Sequence, residues 1–329
     1  MLSDQFKRKI DYLRVSVTDR CDLRCTYCMA EDVTFLPRQE VLSIEEIIKL
    51  IDIFNELGVK KFRLTGGEPL VRKNIIAVIE HLNELKKQKK ITEHTLTTNG
   101  TNLEKYASIL KENGIERINV SLDSLNTEKY KEITKWGNLE KVINGVKTAN
   151  QQGIKVKINT VLTQDFNDEE IFEIIAWCKK NNCDISLIEI MPIGSIGEKR
   201  FDQYLSMKKF EEKLVKKLNL APTKYKTNGP SRYFTNKDND QKIGIISAIS
   251  HNFCDTCNRV RLTCTGKLYM CLGQNDFVDL KFALRNQSKT DIIKNIEYAM
   301  SIKPKAHNFE INKTNFEGYV DRYMNETGG

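Results

Sequence analysis

The chain has 329 residues, 40% apolar and 29% charged, which is enough to bury a sizeable core and excludes an intrinsically disordered protein. No apolar run approaches the roughly 20 residues that cross a bilayer, and the N-terminus lacks a signal peptide, so we expect a cytoplasmic protein with no membrane partner. The net charge of +8 comes mostly from lysines spread along helical segments, since only 14 of the 52 basic residues are arginines, and we therefore expect no nucleic-acid partner.

Six short β-branched or apolar runs alternate with longer amphipathic stretches through the first two thirds of the chain. The predicted strands are Leu13–Val17, Lys61–Leu64, Glu93–Thr97, Arg117–Leu122, Ile154–Leu162 and Ile185–Ile190. The predicted helices are Ser43–Leu57, Asn74–Lys86, Leu103–Glu112, Leu139–Gln151 and Asp168–Lys180. Repeated βα units predict a parallel sheet with right-handed crossovers, and periodicity leaves open whether it is flat or curled into a barrel.

The alternation stops near residue 195. One helix is predicted at Met207–Leu218, followed by a turn-rich polar stretch to Gln241. Hairpin-like runs follow at Ile243–Ile249 and Val260–Tyr269. We therefore expect two domains, an α/β part at residues 1–195 and a smaller C-terminal α+β module at 196–329.

Nine cysteines without a secretion signal favour metal, redox or free-thiol roles over disulfides. Cys21, Cys25 and Cys28 form the pattern C-x3-C-x2-C directly after the first predicted strand, where a parallel sheet presents its ligands. Three thiolates can hold three irons of a four-iron cluster and leave the fourth iron open, whereas a closed zinc site needs a further ligand. Cys178 and Cys183 lie far from this group and are interpreted as ordinary thiols.

A second cysteine group lies in the C-terminal module. Cys254, Cys257 and Cys271 again supply three thiolates, with Cys264 and His251 nearby in the sequence. One interpretation is a second iron–sulfur cluster with an open iron that binds substrate. The other is a zinc site completed by Cys264 or His251.

Cationic side chains are predicted on several strands. Arg259 and Arg261 alternate on one strand and therefore face the same way, which suits the binding of phosphate oxygens, although an exposed pair of charges on a hairpin fits as well. No phosphate-binding G-x4-G-K-[ST] loop occurs, so a nucleoside triphosphate would have to be held by separate cations. Gly66-Gly67-Glu68-Pro69 follows the second strand and fits either a ligand-contacting turn or a plain tight turn.

The cysteine loop, with Tyr27 before its last cysteine, and the GGEP turn resemble the radical S-adenosylmethionine superfamily. The resemblance implies a partial, open (β/α)6 TIM-type barrel. It also implies that a cluster with an open iron chelates S-adenosylmethionine and donates the electron that forms a 5′-deoxyadenosyl radical. The implied cofactor contacts are Tyr27, Gly66, Gly67, Glu68, Ser121 and Met191.

The second cysteine group, the segment Asn258–Leu262 and the terminal Gly328-Gly329 are similar to a family of this superfamily that begins molybdenum cofactor biosynthesis. The resemblance implies two 4Fe-4S clusters and conversion of GTP to (8S)-3′,8-cyclo-7,8-dihydroguanosine 5′-triphosphate. Gly328 and Gly329 are implied to assist the radical step. Ser186 stands where that family usually has an arginine. The implied substrate contacts are Arg14, Lys61, Arg63, Thr97, Lys157, Arg259, Val260 and Arg261.

The implied protein partners are an electron donor of flavodoxin or ferredoxin type and the next enzyme of the pathway, cyclic pyranopterin monophosphate synthase. Whether the chain forms a homodimer is left open. Two alternatives remain: a peptide- or sulfatase-maturing radical enzyme with one auxiliary cluster, and an iron–sulfur electron-transfer or redox-sensing protein. Saturable binding of S-adenosylmethionine would exclude the last of these.

Overall fold

The computed structural model describes residues 1–194, 203–236, 241–309, 320 and 322–328. Strands and helices alternate in its first half, as predicted. The strands are β1 (Tyr12–Ser16), β2 (Lys61–Thr65), β3 (Glu93–Thr98), β4 (Arg117–Ser121), β5 (Lys155–Leu162) and β6 (Asp184–Glu189). The helices are α1 (Ile44–Glu56), α2 (Ile75–Lys87), α3 (Leu103–Glu112), α4 (Thr127–Thr134), α5 (Leu139–Gln151) and α6 (Ile171–Lys180).

Local sequence signals set several of these boundaries. Ser43 caps α1 by accepting from the backbone N–H of Glu46 at 3.1 Å, and the Glu46 carboxylate accepts from the N–H of Ser43 at 2.8 Å. Helix α6 begins at Ile171 rather than at the predicted Asp168. Helix α4 was not predicted, because it is short and half of its eight residues are charged, which leaves little apolar periodicity.

The C-terminal part contains more regular structure than the sequence predicted. Its strands are β7 (Leu220–Pro222), β8 (Arg232–Asn236), β9 (Lys242–Ile246), β10 (Arg259–Leu262), β11 (Lys267–Tyr269) and β12 (Phe277–Asp279). Its helices are α7 (Met207–Lys217), α8 (Lys281–Asn286), α9 (Lys289–Ser301) and α10 (Met324–Thr327). The stretch interpreted as turns up to Gln241 therefore contains β7 and β8. Each pairs antiparallel with a strand close to it in sequence, β7 with β8 and β8 with β9. With only three and five residues, the two strands are too short for their alternation to be recognised in the sequence.

All twelve of these strands form one sheet in the order β12-β11-β10-β1-β2-β3-β4-β5-β6-β9-β8-β7. The strands from β10 through β9 run parallel, and the outer strands on both sides are antiparallel. One cavity is lined by side chains from β1–β6, β9 and β10, so the sheet curves around it. The curved parallel sheet confirms the predicted open barrel.

Both edges of the six-stranded barrel are extended by C-terminal strands, because β10 pairs with β1 and β9 pairs with β6. Apolar residues from both parts of the chain, such as Val15, Ile243 and Val260, belong to one buried cluster. The predicted domain boundary between residues 195 and 196 lies outside the described residues and stays a prediction. No helix in the described ranges is long and apolar enough to cross a membrane.

Candidate active site

The cavity inside the curved sheet brings together most of the predicted site residues. Its lining includes all six cysteines of the two groups: Cys21, Cys25, Cys28, Cys254, Cys257 and Cys271. It also includes the other predicted contacts Tyr27, Gly66, Gly67, Glu68, Ser121, Met191, Arg14, Arg63, Thr97, Lys157, Arg259 and Arg261. Residues as distant in sequence as Arg14 and Cys271 thus meet at one site, at and below the carboxyl ends of the parallel strands.

The first cysteine group lies in a loop that follows β1 and is held by Arg24. The Arg24 guanidinium donates to the carbonyl oxygens of Cys21 and Leu23, each at 2.9 Å, and lies 4.3 Å from the ring centre of Trp136. Burial raises the pKa of the Cys25 thiol well above its usual value, and the neighbouring thiols of Cys28 and Cys21 add to this. Thiols this close ionise together only when a bound cation compensates their charge, so this donor set fits an iron–sulfur cluster.

The second cysteine group lies between the one-turn helix Cys254–Thr256 and the end of β11. Burial acts to raise the pKa of Cys257, but the cationic side chains of Lys303 and Arg259 outweigh it and lower the pKa. Burial raises the pKa of Cys271, with Cys257 among the neighbours that contribute. These three thiols also face a common space and fit a second cluster.

The zinc alternative finds no support in the geometry. Cys264 is 1% exposed and is not among the residues that line the cavity. His251 is exposed and does not line it either. Across the described ranges, no group of three or more His, Cys, Asp or Glu side chains is arranged to hold a single metal ion. A cluster of four irons is larger than one ion, so its thiol ligands stand further apart.

The GGEP turn packs against the start of the cysteine loop. A Cβ atom added to Gly67 would lie 2.1 Å from the carbonyl oxygen of Arg20, and one added to Gly66 would lie 2.8 Å from that of Thr18. The glycines are therefore required by this close approach, whether or not a ligand is bound.

Glu68 lines the cavity, and three donors of the protein hold its carboxyl group. It accepts from the hydroxyl of Thr98 at 2.8 Å and from the backbone N–H groups of Leu70 at 3.0 Å and Asn99 at 2.7 Å. Burial raises the pKa of Glu68 to about 7. Its carboxyl group thus links the turn after β2 to the end of β3.

Three arginines stand side by side on adjacent strands. Arg14 on β1 is in register with Arg261 on β10 and with Arg63 on β2. Burial, together with the charge of Arg261, lowers the pKa of Arg14 well below its usual value. Burial and the charge of Arg259 lower the pKa of Arg261 to about 10. This row of like charges is costly without an anion, so the cavity is built to bind a polyanion.

Lys157 and Thr97 extend the polar lining. Thr97 accepts from the Arg63 guanidinium at 3.1 Å. Lys157 donates to the hydroxyl of Tyr233 at 3.0 Å, and burial lowers the pKa of Lys157. Ser186, where an arginine was expected, is fully buried and its hydroxyl lies 3.1 Å from that of Ser231.

Two predicted substrate contacts lie elsewhere. The Lys61 ammonium pairs with Asp11 at 3.0 Å and lines a separate depression at the amino-terminal ends of β2, β3 and β4. The Val260 side chain points to the opposite face from Arg259 and Arg261 and is buried in the apolar core. Because side chains alternate along a strand, the Val260 side chain cannot reach the cavity that Arg259 and Arg261 line.

The C-terminal tail passes between the cysteine loop and β10. Met324 donates its backbone N–H to the carbonyl oxygen of Cys28 at 3.1 Å, and the Arg261 guanidinium donates to the carbonyl oxygen of Gly328. Gly328 has φ of 72°, and an added Cβ would lie 1.9 Å from the Thr65 hydroxyl. Gly329 lies outside the described residues.

The sequence did not single out two polar residues of this site. Asp123 accepts from the Tyr27 hydroxyl at 2.7 Å, and burial raises the pKa of Asp123 to about 6. Asn99 donates to Asp22 at 2.7 Å and lies 3.7 Å from the Cys21 sulfur. Asn99 comes directly after β3, and Asp123 lies two residues after the end of β4. Their position near strand ends was the signal that could have found them.

Comparisons with known proteins agree with this site. Residues 15–178 match the Radical SAM superfamily, and residues 183–309 match Molybdenum Cofactor Synthesis C. The solved structure of Streptococcus suis SuiB bound to S-adenosylmethionine is similar in fold, with a TM-score of 0.63 at 17% identity over 86% of this chain and 63% of that one. The fold and the two cysteine groups thus define a radical S-adenosylmethionine protein.

Curated relatives narrow the class. GTP 3′,8-cyclase of Brucella ovis is 51% identical over 327 residues, 99% of this chain and 95% of the relative. GTP 3′,8-cyclase of Brucella melitensis biotype 2 is 50% identical over the same shares. The chain belongs to the GTP 3′,8-cyclase family.

Proposed function

We propose that this protein converts GTP to (8S)-3′,8-cyclo-7,8-dihydroguanosine 5′-triphosphate, the first step of molybdenum cofactor biosynthesis. The observation that carries the proposal is the row of Arg14, Arg63 and Arg261 in the same cavity as two groups of three cysteines. Cations of this density require a polyanionic ligand, and a nucleoside triphosphate supplies one. The six cysteine thiols in the same cavity would hold the clusters on which the radical chemistry depends.

The residues present fit the cofactors of this chemistry. Cys21, Cys25 and Cys28 would hold one 4Fe-4S cluster, and Cys254, Cys257 and Cys271 a second. When bound, the first cluster and S-adenosylmethionine supply the radical that removes hydrogen from the substrate. The further residues that we assign to S-adenosylmethionine are Tyr27, Gly66, Gly67, Glu68, Ser121 and Met191.

The protein's part in the reaction is to bind, orient and shield GTP. The cations bind the triphosphate from three adjacent strands and from β5, with Thr97 beside them. They are Arg14, Arg63, Arg259, Arg261 and Lys157. The second cysteine group lies close to Arg259 and would hold the cluster that we assign to the guanine edge. The ribose is thereby fixed so that its C3′ lies within reach of C8, and the enclosing walls keep solvent away.

The tail completes the site. Gly328 has no side chain and so passes the Thr65 hydroxyl, where any larger residue would clash. We assign to Gly328 and Gly329 a role in the radical step on GTP rather than in the cleavage of S-adenosylmethionine. The hydrogen bond from Arg261 couples the tail to the triphosphate site.

The electron donor of flavodoxin or ferredoxin type, cyclic pyranopterin monophosphate synthase as the next enzyme, and a cytoplasmic location belong to the same proposal. The state of association, including a homodimer, is a matter for measurement by light scattering.

The test is product analysis after anaerobic cluster reconstitution. Incubation with GTP, S-adenosylmethionine and a reductant should give 5′-deoxyadenosine, methionine and a nucleotide isomeric with GTP. Lys157→Ala should lose nucleotide product, while Lys155→Ala, on the exposed start of the same strand, should keep it. Consumption of S-adenosylmethionine without any GTP product would favour a peptide-maturing enzyme, and no binding of S-adenosylmethionine would favour an electron-transfer protein.

A further inference from the structure

A buried lysine lies against the second cysteine group. Lys303, which follows α9, is 1% exposed. Its ammonium donates to the carbonyl oxygen of Met270 at 2.5 Å and lies 3.7 Å from the sulfur of Cys257. Lys303 is not among the residues that line the cavity with the predicted substrate contacts.

The charge of Lys303 has no carboxylate partner among the described residues. The only groups that its ammonium contacts there are a carbonyl oxygen and a thiol. A buried cation is costly unless an anion lies nearby. Three cysteine thiolates around a 4Fe-4S core form such an anion, so the lysine and the cluster stabilise each other.

The lysine is held in place from the N-terminus. Gln5 donates to the carbonyl oxygen of Lys303 at 3.0 Å. The Arg8 guanidinium donates to the carbonyl oxygens of Cys254 at 2.7 Å and Pro304 at 2.6 Å. Arg8 thus ties the cysteine loop to the lysine segment, while its own charge is paired with Asp4 at 2.5 Å. Of the two cations Arg8 and Lys303, only Arg8 has a carboxylate partner among the described residues.

We propose that the charge of Lys303 raises the reduction potential of the cluster held by Cys254, Cys257 and Cys271. Reduction adds one electron to the cluster and neither makes nor breaks a bond. The reduced cluster is more negative by one charge, so a cation near its ligand sulfur stabilises it more than the oxidised one. Charge and hydrogen bonds at the sulfurs are established determinants of such potentials. This inference rests on the two-cluster assignment.

The test isolates the second cluster by replacing Cys21, Cys25 and Cys28 with alanine in the full chain. Midpoint potentials are then measured with dithionite and redox mediators, and the reduced cluster is followed by electron paramagnetic resonance. Lys303→Met should shift the midpoint to a more negative value at unchanged iron content. Lys303→Arg, which keeps the charge, should stay near the parent value. Lys294→Met, an exposed position on α9, serves as the control and should not shift it.

Two outcomes overturn the inference, and a third overturns its basis. A parent-like potential in Lys303→Met with full iron would refute the role. If that variant loses its iron, Lys303→Gln decides, because glutamine keeps a donor without the charge and an unchanged potential there would refute the role as well. Absence of any cluster in the triple cysteine variant would instead show that the second group holds none, and the two-cluster assignment would fail together with the inference.

Discussion

Replacing Arg259 should have opposite effects on GTP binding and on the stability of the empty protein. Arg259 lies two residues before Arg261 on the same face of β10, roughly 7 Å away along the strand. At an effective dielectric constant of about 20, two unit charges at that distance repel by about 2 kcal/mol, less where solvent reaches them. The Nε of Arg259 is buried without a hydrogen-bond partner among the described residues. The guanidinium lies 5.7 Å from the ring centre of Phe253 and 6.0 Å from that of Tyr12, and losing these two contacts offsets part of the relieved repulsion.

Arg259→Met should therefore raise the melting temperature without GTP by at least about 2 °C. The same variant loses a charged partner of the triphosphate, which costs about 1.5 to 3 kcal/mol and corresponds to a roughly 10- to 150-fold weaker GTP affinity. Thermal unfolding and anaerobic equilibrium dialysis measure the two effects. Arg285→Met is the matched control, because Arg285 pairs with Glu46 at 2.6 Å on the exposed surface. This variant should leave GTP affinity unchanged and should not raise the melting temperature. GTP affinity equal to that of the parent would refute the assignment of β10 to the substrate.

The remaining predictions concern the cysteines and the glycines. Reconstituted protein should hold about eight irons per chain, and Cys257→Ala about four, by iron analysis. Cys264→Ala should keep about eight, and a loss of four there would revive the zinc or mixed-ligand alternative. Gly67→Ala should lower the iron content of the first cluster, because its Cβ would lie 2.1 Å from a backbone carbonyl of the cysteine loop. Gly229 lines the same cavity, and a Cβ added there would have its nearest contact at 3.6 Å, so Gly229→Ala is the control and should keep its iron. Iron loss in both variants would contradict the steric reasoning. Gly328→Ala should abolish the cyclised nucleotide while 5′-deoxyadenosine formation without GTP continues. Parent-like turnover of GTP in that variant would show that the tail has no part in the reaction.

The regular elements of the barrel could be predicted because their signals are local. The capping box at Ser43 and Glu46 and the alternation along β5 are visible within a few residues of sequence. The short strands β7 and β8 could not be predicted in this way. β8 pairs with β9, and β9 in turn joins the edge of β6. The pairing of β9 with β6 connects residues as distant in sequence as Ile185 and Ile243, so local sequence does not reveal it.

The site divides along the same line. The spacing of Cys21, Cys25 and Cys28 predicted an iron–sulfur cluster, because its three ligands lie close together within one loop of the chain. The placement of Lys61 could not be inferred, since a cation at the start of a strand faces either the cavity or the barrel's lower end, and the nearby Asp11 decided this. Nor could the sequence show that three donors of the protein hold the Glu68 carboxyl group, and its contact with S-adenosylmethionine stays a prediction.

Residue types and short spacings are enough to predict the βα alternation, the two cysteine groups and the cations. They do not show that Arg14, Arg63 and Arg261 form one row. Nor do they show that Gly328 lies against Thr65 or that Lys303 lies against Cys257. These contacts join strands and segments that are distant in sequence. Their geometry is set by the register of β10 on β1 and by the curvature of the sheet, and neither is written in any local pattern.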